Sequence, residues 1–210
     1  AFGVAGVLAL APFPAEPVAA ALGVTPAAAH RALGELVDYG LLLRPDEQYQ
    51  VTHALAHAYA RTQAAPASEV IERLALYYAA LAETETKRGP AGFAMLDRHR
   101  AHIVAVQAAA LAAGQWDAVR RITWKIDNYL DLKGYWTERI AVVQAGLDAA
   151  RAAGARYDEG SFLTLLGLAY AGLGETRRAI EYHEQYLVIA REIGDRRGGG
   201  SALGNLSVAY

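Results

Sequence analysis

Two eleven-residue stretches, Gly160–Tyr170 (GSFLTLLGLAY) and Gly200–Tyr210 (GSALGNLSVAY), decide how this chain folds. Gly160, Ser161, Leu163, Leu166, Ala169 and Tyr170 recur as Gly200, Ser201, Leu203, Leu206, Ala209 and Tyr210, each 40 positions later. The same step runs upstream. Gly134, Ile140, Leu147, Ala150 and Gly154 return as Gly174, Ile180, Leu187, Ala190 and Gly194, and Gly114 precedes Gly154 by 40. An internal period of this length marks stacked supersecondary units. In the first unit Leu163, Leu166, Ala169 and Tyr170 lie at helical spacing. Gly172 and Gly174 then break the helix, with backbone angles open to glycine. A second helix is predicted over Glu175–Glu192, its apolar face made by Ala179, Ile180, Tyr186, Leu187 and Ala190, and stopped by Gly194 and Asp195. Neither helix can bury its stripe alone; antiparallel pairs stacked in register can.

The composition fits an all-α class. Of 210 residues 54% are hydrophobic, alanine and leucine dominate, and β-branched runs are scarce. A net charge of -2, from 20 basic and 22 acidic residues, argues against a general nucleic-acid or membrane-surface binder. The absence of cysteine removes any disulfide, thiol nucleophile or thiolate metal site and fits a reducing, cytoplasmic setting. No apolar run has membrane-spanning length. The opening AFGVAGVLALAPFP is short and lacks a basic leader, so it does not read as a signal peptide. With no initiator Met, and both ends inside apolar patterns, the chain reads as a piece of a larger protein.

Residues 1–62 follow a different pattern. A helix is predicted over Gly3–Ala11 and a short one over Val18–Leu22, with Pro17 suited to a first turn and Gly23 as the stop. A third runs from Pro26, capped by Thr25, to Tyr39, with Ala29, Leu33, Leu36 and Val37 on its apolar face. Leu41–Leu43 and Tyr49–Val51 read as two short strands around a Pro45-Asp46-Glu47 turn. A helix follows from His53 to Thr62. This is the pattern of a winged helix-turn-helix domain. Residues 63–115 form a helical connector, with helices expected over Glu69–Glu85, capped by Ser68, and over Met95–Ala113, separated by a Lys87–Pro90 loop. Residues 116–210 hold the repeats, the last one truncated.

Two resemblances follow. Leu166, Gly167, Tyr170, Gly174 and Ala179 fall on the signature spacing of the tetratricopeptide repeat, which the chain resembles from Trp116 onward. It departs from that family in placing Tyr186 where a small residue is usual, and in a period longer than the common one of about 34. The longer form resembles repeats of kinesin light chains and large bacterial signalling ATPases. The segment YGLLLRPDEQYQVTHALAHAYA (Tyr39–Ala60) resembles the winged-helix end of bacterial STAND or NB-ARC ATPases, and HRAHIVAVQAAALAA (His99–Ala113) resembles the segment before their repeats. In that family the helix after the wing opens on a histidine that contacts the β-phosphate of ADP in the off state. His53 stands at that position, with Ala54 in place of the aspartate that commonly follows. No GxxxxGK[ST] motif exists in this chain, so the resemblance implies that ATP or ADP is held by an upstream ATPase domain, with no cofactor in the present segment.

Other candidates for chemistry are weak. His53 and His57 lie four apart on one helix, as metal ligands can, but no third ligand is near in sequence. His99 and His102, flanked by Asp97, Arg98 and Arg100, read as a solvated helix face. Gly198-Gly199-Gly200 lacks the Lys-Ser/Thr of a phosphate loop and reads as an inter-repeat turn. Trp116, Trp124 and Trp136 read as packing anchors. No triad or paired-carboxylate cluster suggests catalysis or a metal site. The expectation is a non-catalytic regulatory segment of a signal-transduction ATPase. Its repeats would bind a protein or peptide through Ser161, Thr164, Leu168, Ser201, Gly204 and Asn205, positions that line the groove by family resemblance. Its winged helix would relay that event to the ATPase core. The truncated last repeat, with Leu203, Leu206 and Tyr210, would self-associate or fray at its end. The alternative is a transcriptional regulator whose winged helix binds DNA. It has little in its favour, since the predicted reading helix offers only His30 and Arg31 against Glu35 and Asp38. It predicts a gel shift at low salt that weakens when Arg31 or Arg44 is lost; no shift dismisses it.

Overall fold

A computed structural model describes residues 1–209. Tyr210, the counterpart of Tyr170 and part of the expected exposed stripe, lies outside the described residues. The chain is mostly helical with one small antiparallel hairpin, and so belongs to the all-α class. It divides into two compact units, residues 1–125 and 126–210.

In the first unit α1 (Phe2–Val7) packs on α4 (Ala54–Thr62). The approach is close: a Cβ on Gly6 would fall 2.5 Å from the Arg61 nitrogen. α1 stops four residues before the predicted Ala11, because Leu8 turns to an extended conformation. The following loop then bonds outward, with Phe13 and Tyr49 exchanging backbone hydrogen bonds at 2.8 Å. α2 (Glu16–Leu22) ends on Gly23 in the left-handed conformation, and α3 (Pro26–Asp38) is capped by Thr25 Oγ1, which accepts from the Ala28 N–H. Strands β1 (Leu42–Leu43) and β2 (Gln50–Val51) pair with Leu42 opposite Val51. α5 (Ser68–Lys87) and α6 (Pro90–Ala112) form a long hairpin. α6 begins at Pro90 rather than Met95, since Gly89 at φ 61° turns the chain sharply and proline suits the first helical position. Ser68 is not the cap of α5. Ala67 holds that position, and the Ser68 hydroxyl accepts from Gln115 Nε2.

From α6 onward one device repeats. α7 (Trp116–Leu132), α8 (Trp136–Ala152), α9 (Arg156–Gly172) and α10 (Thr176–Glu192) each have 17 residues, and α11 (Arg196–Ala209) follows. Gly114, Gly134, Gly154, Gly174 and Gly194 all have positive φ, one every 20 residues. At each, the glycine N–H and the next N–H return to carbonyls of the last turn, as in Gly174 to Ala171 and Glu175 to Tyr170. This double bond closes a helix only if the residue is left-handed, a conformation glycine adopts without a Cβ penalty. The residue after the glycine then serves as N-cap of the next helix, as Tyr135, Ala155 and Glu175 do, so the link needs only three residues. Gly198, Gly199 and Gly200 are therefore not a turn, as expected from sequence. They lie in the first two turns of α11, where the Gly198 N–H donates to Asp195 Oδ1 at 2.8 Å.

In the second unit each helix runs antiparallel to its neighbour, and one core threads α8 to α11. It contains Val143, Leu147, Phe162, Leu163, Leu166, Tyr186, Ile189 and Ala202. Two glycines of α9 let α10 approach. A Cβ on Gly160 would lie 2.7 Å from the Tyr186 ring, and one on Gly167 would lie 2.5 Å from the His183 ring. The large Tyr186, a departure from the small residue expected there, is thus accommodated by the missing side chain opposite. Burial, and then its hydrogen bond to Asp195, push the Tyr186 hydroxyl up to about 12, so it remains a donor to Asp195 Oδ2 at 3.1 Å. Charged groups join the helices too. Arg139, buried, donates to Asp127 at 2.7 Å and also reaches Asp131.

Gly167→Ala should destabilise the second unit by about 1–3 kcal/mol, because the buried His183 ring cannot retreat far. Gly204→Ala, with nothing within 4 Å of the added carbon, should be neutral or stabilise by up to about 1 kcal/mol. Urea unfolding midpoints of the two variants check this; a similar shift for both would refute the packing account.

Candidate partner-binding surface

The face expected to meet a partner is built by α9 and α11. On α9, Glu159, Phe162, Leu163, Leu166 and Ala169 face the core. Ser161 and Thr164 are half-buried and Leu168 is 41% exposed, which puts them on the outward side. On α11, Ala202 and Leu206 are buried, Ser201 and Gly204 are exposed and Asn205 is half-buried. Each helix therefore brings its predicted residues to one side. The two hydroxyls are spent within their own helices: Thr164 Oγ1 donates to the Gly160 carbonyl at 3.3 Å and Ser201 Oγ to the Arg197 carbonyl at 3.2 Å. What remains for recognition is the Leu168 side chain, the Asn205 amide and the open backbone at Gly204. Tyr157, 66% exposed, was missed by the sequence reading. It precedes Ser161 by one turn, and extending the same face backwards by four would have found it.

The histidines of the first unit have structural work. His53 caps α4, its Nδ1 accepting from the Ala56 N–H at 3.3 Å. The proton must then sit on Nε2, which points away from the capped turn. His57 does not join it around a shared point, since His57 Nε2 donates to the Leu8 carbonyl at 2.7 Å. Among the described residues no group of three or more His, Cys, Asp or Glu could hold a metal ion. His30, half-buried, bonds the Tyr49 hydroxyl at 2.9 Å, and Arg44, exposed, pairs with Glu47 and lies over the Tyr49 ring.

His99 and His102 overturn the expectation of a solvated face, for both are buried. The Ala9 N–H donates to His102 Nδ1 at 3.2 Å, so that nitrogen carries no proton; Nε2 carries it and donates to the Pro12 carbonyl at 2.9 Å. One imidazole thereby fixes the loop between α1 and α2 across sequence separations of 93 and 90 residues. Burial lowers the proton affinity of both rings; the Pro12 carbonyl partly offsets this for His102, and proximity to His102 adds to it for His99.

No family model matches the chain. Over 66 residues it is 44% identical to human G-protein-signaling modulator 1 and 41% identical to the mouse and rat proteins of that name. The match covers 31% of this chain and 9% of each relative, so the chain spans under a tenth of the length of the curated relatives it matches. No helix among the described residues is long and apolar enough to cross a membrane.

The lowered histidines give a pH dependence of defined sign. The unfolded chain takes up protons near the ordinary value of 6.5, while the folded chain does so only at lower pH. Their contribution to stability is complete above about pH 6.5 and is lost as pH falls through the folded values. His102→Ala should cost about 1–3 kcal/mol at pH 8, by stranding the Ala9 N–H and the Pro12 carbonyl, and should flatten the loss between pH 7 and 5. Urea titrations across that range read both effects; an unchanged slope would assign the acid loss to other groups.

Proposed function

We propose that this chain is a non-catalytic interaction and relay segment. In this reading residues 116–210 are a tetratricopeptide-like α-solenoid. Its outward α9 and α11 residues Ser161, Thr164, Leu168, Ser201, Gly204 and Asn205 bind a protein or peptide. Residues 1–62 are a winged-helix domain, with β1 and β2 as the wing, joined by the α5–α6 arm. They pass the binding event to a nucleotide-holding ATPase core outside this segment.

The observation that carries the reading is the uniform train of 17-residue helices joined by three-residue glycine turns. Such a train buries one side of each helix and leaves a continuous side free, which suits recognition of extended or helical partners. The relatives add modest support. Their name describes modulators of G-protein signalling, a role exercised on other proteins. For the relay, the N–H at His53 Nε2, which has no hydrogen-bond partner among the described residues, can donate to a phosphate oxygen while Nδ1 caps its helix.

The test is a pull-down from the source organism's lysate with the full-length protein, comparing wild type with Thr164→Arg plus Asn205→Arg. Both positions are at least partly exposed, so helicity by circular dichroism should be retained and partner capture abolished. Capture unchanged in the double variant would remove the α9–α11 face from the account.

A further inference from the structure

The first unit contains a cavity of about 600 Å³, a volume in the range of small-molecule sites. Gly6, Val7 and Leu8, all buried, close it where α1 ends. Ala105, Ala108, Ala109 and Ala112 of α6 line it along one helix face, and Pro66 and Ile71 add to it around the start of α5. Ala65, Ala108 and Ala112 are exposed and mark the mouth. The space is written into the sequence. α6 carries Leu96, Ile103 and Val106 among its buried residues, but only alanine at the positions that line the cavity. Interiors pack closely wherever side chains can reach, so four alanines on one face leave room that leucine or isoleucine would fill.

Polar groups around the cavity are mostly paired with one another. His57 Nε2 donates to the Leu8 carbonyl and the Ala9 N–H donates to His102 Nδ1. Carbonyls in the last turn of α6 accept from the N–H groups of Ala113, Gly114 and Gln115, and the Tyr59 carbonyl near the end of α4 accepts from Gln63 and Ala64. The negative ends of both helices are thus capped by the chain itself. Arg61 differs. Gly6 lets α1 approach its backbone closely, since a Cβ there would fall 2.5 Å from the Arg61 nitrogen. Arg61 is exposed, lines the cavity, and makes no ion pair or side-chain hydrogen bond among the described residues. Among the described residues that line the cavity none is acidic. An apolar slot and one cation at its mouth therefore stand together.

We propose that this cavity binds a small carboxylate with an unbranched apolar tail, the tail lying along the alanines of α6 and the carboxylate on the Arg61 guanidinium. Arginine presents a planar fork of donors that matches both oxygens of a carboxylate. Ala105 to Ala112 spans two helical turns, about 10 Å, which suits an extended tail of medium length. A helix of a partner protein is the poorer occupant. It would need a groove open along its length, whereas the buried Gly6, Val7 and Leu8 close this one. The site lies wholly within the first unit, so this proposal and the α9–α11 reading fail separately.

The probe is decanoate, titrated below its micelle-forming concentration against the 210-residue chain by isothermal titration calorimetry. Saturable one-to-one binding is expected. Decanol, with the same tail and no charge, and acetate, with the head and no tail, should each bind weaker by about tenfold or more. Arg61→Gln should weaken decanoate by about tenfold and leave decanol unchanged, and Arg61→Lys should recover part of the loss. Ala105→Leu and Ala109→Leu place a larger side chain in the slot from half-buried positions. Each should weaken decanoate by about tenfold or more, with helicity kept by circular dichroism and melting at or above the wild-type temperature. Thr164→Arg plus Asn205→Arg should leave decanoate binding unchanged. Four results overturn the proposal. They are no saturable binding of decanoate, decanol binding as tightly as decanoate, decanoate affinity unchanged by Arg61→Gln, and affinity unchanged in a folded leucine variant.

Discussion

Everything in the second unit depends on a glycine able to sit in the left-handed region at the end of each helix. That conformation lets two backbone N–H groups turn back onto the last helical carbonyls, and it spends only three residues before the next helix begins. Consecutive helices are therefore forced side by side and antiparallel, and each finds its partner within a short stretch of chain. The 40-residue repeat of side chains is the consequence of two such 20-residue steps. A side chain at these glycines would strain the turn whatever space surrounded it.

Given that frame, specificity of packing comes from where side chains are missing. Gly160 and Gly167 remove two side chains from α9 and thereby admit Tyr186 and His183 of α10, large groups with polar atoms, into the core. Tyr186 finds Asp195 for its hydroxyl, whereas among the described residues the buried His183 Nδ1 has no hydrogen-bond partner, and burial lowers the proton affinity of its ring. The first unit solves a different problem. Its loops are irregular, so their backbone groups need partners that no regular element supplies. His102, His57 and Tyr49 provide them, each reaching across a large sequence separation.

The functional reading follows from this division of labour. The successive helices of the second unit present outward faces whose composition is free of packing duty, and those faces are where small polar and exposed apolar residues collect.

Much of this was legible in the residues alone. The helices, the glycine stops, the Thr25 cap and the hairpin after Gly40 are local events. Each is set by backbone preferences within a turn, so a few neighbouring residues specify it. The groove positions Ser161, Thr164 and Leu168 came from the resemblance to the tetratricopeptide repeat, and on α9 they share the side away from the core. The burial of His99 and His102, the early end of α1 and the seat of Tyr186 over Gly160 were decided only by tertiary structure. Those outcomes rest on groups far apart in the chain, Ala9 and Pro12 meeting His102, or Gly160 meeting Tyr186. A histidine flanked by arginines carries no local mark of whether a loop 90 residues earlier will cover it. Its environment is set by long-range packing, where the sum of many contacts outweighs local propensity.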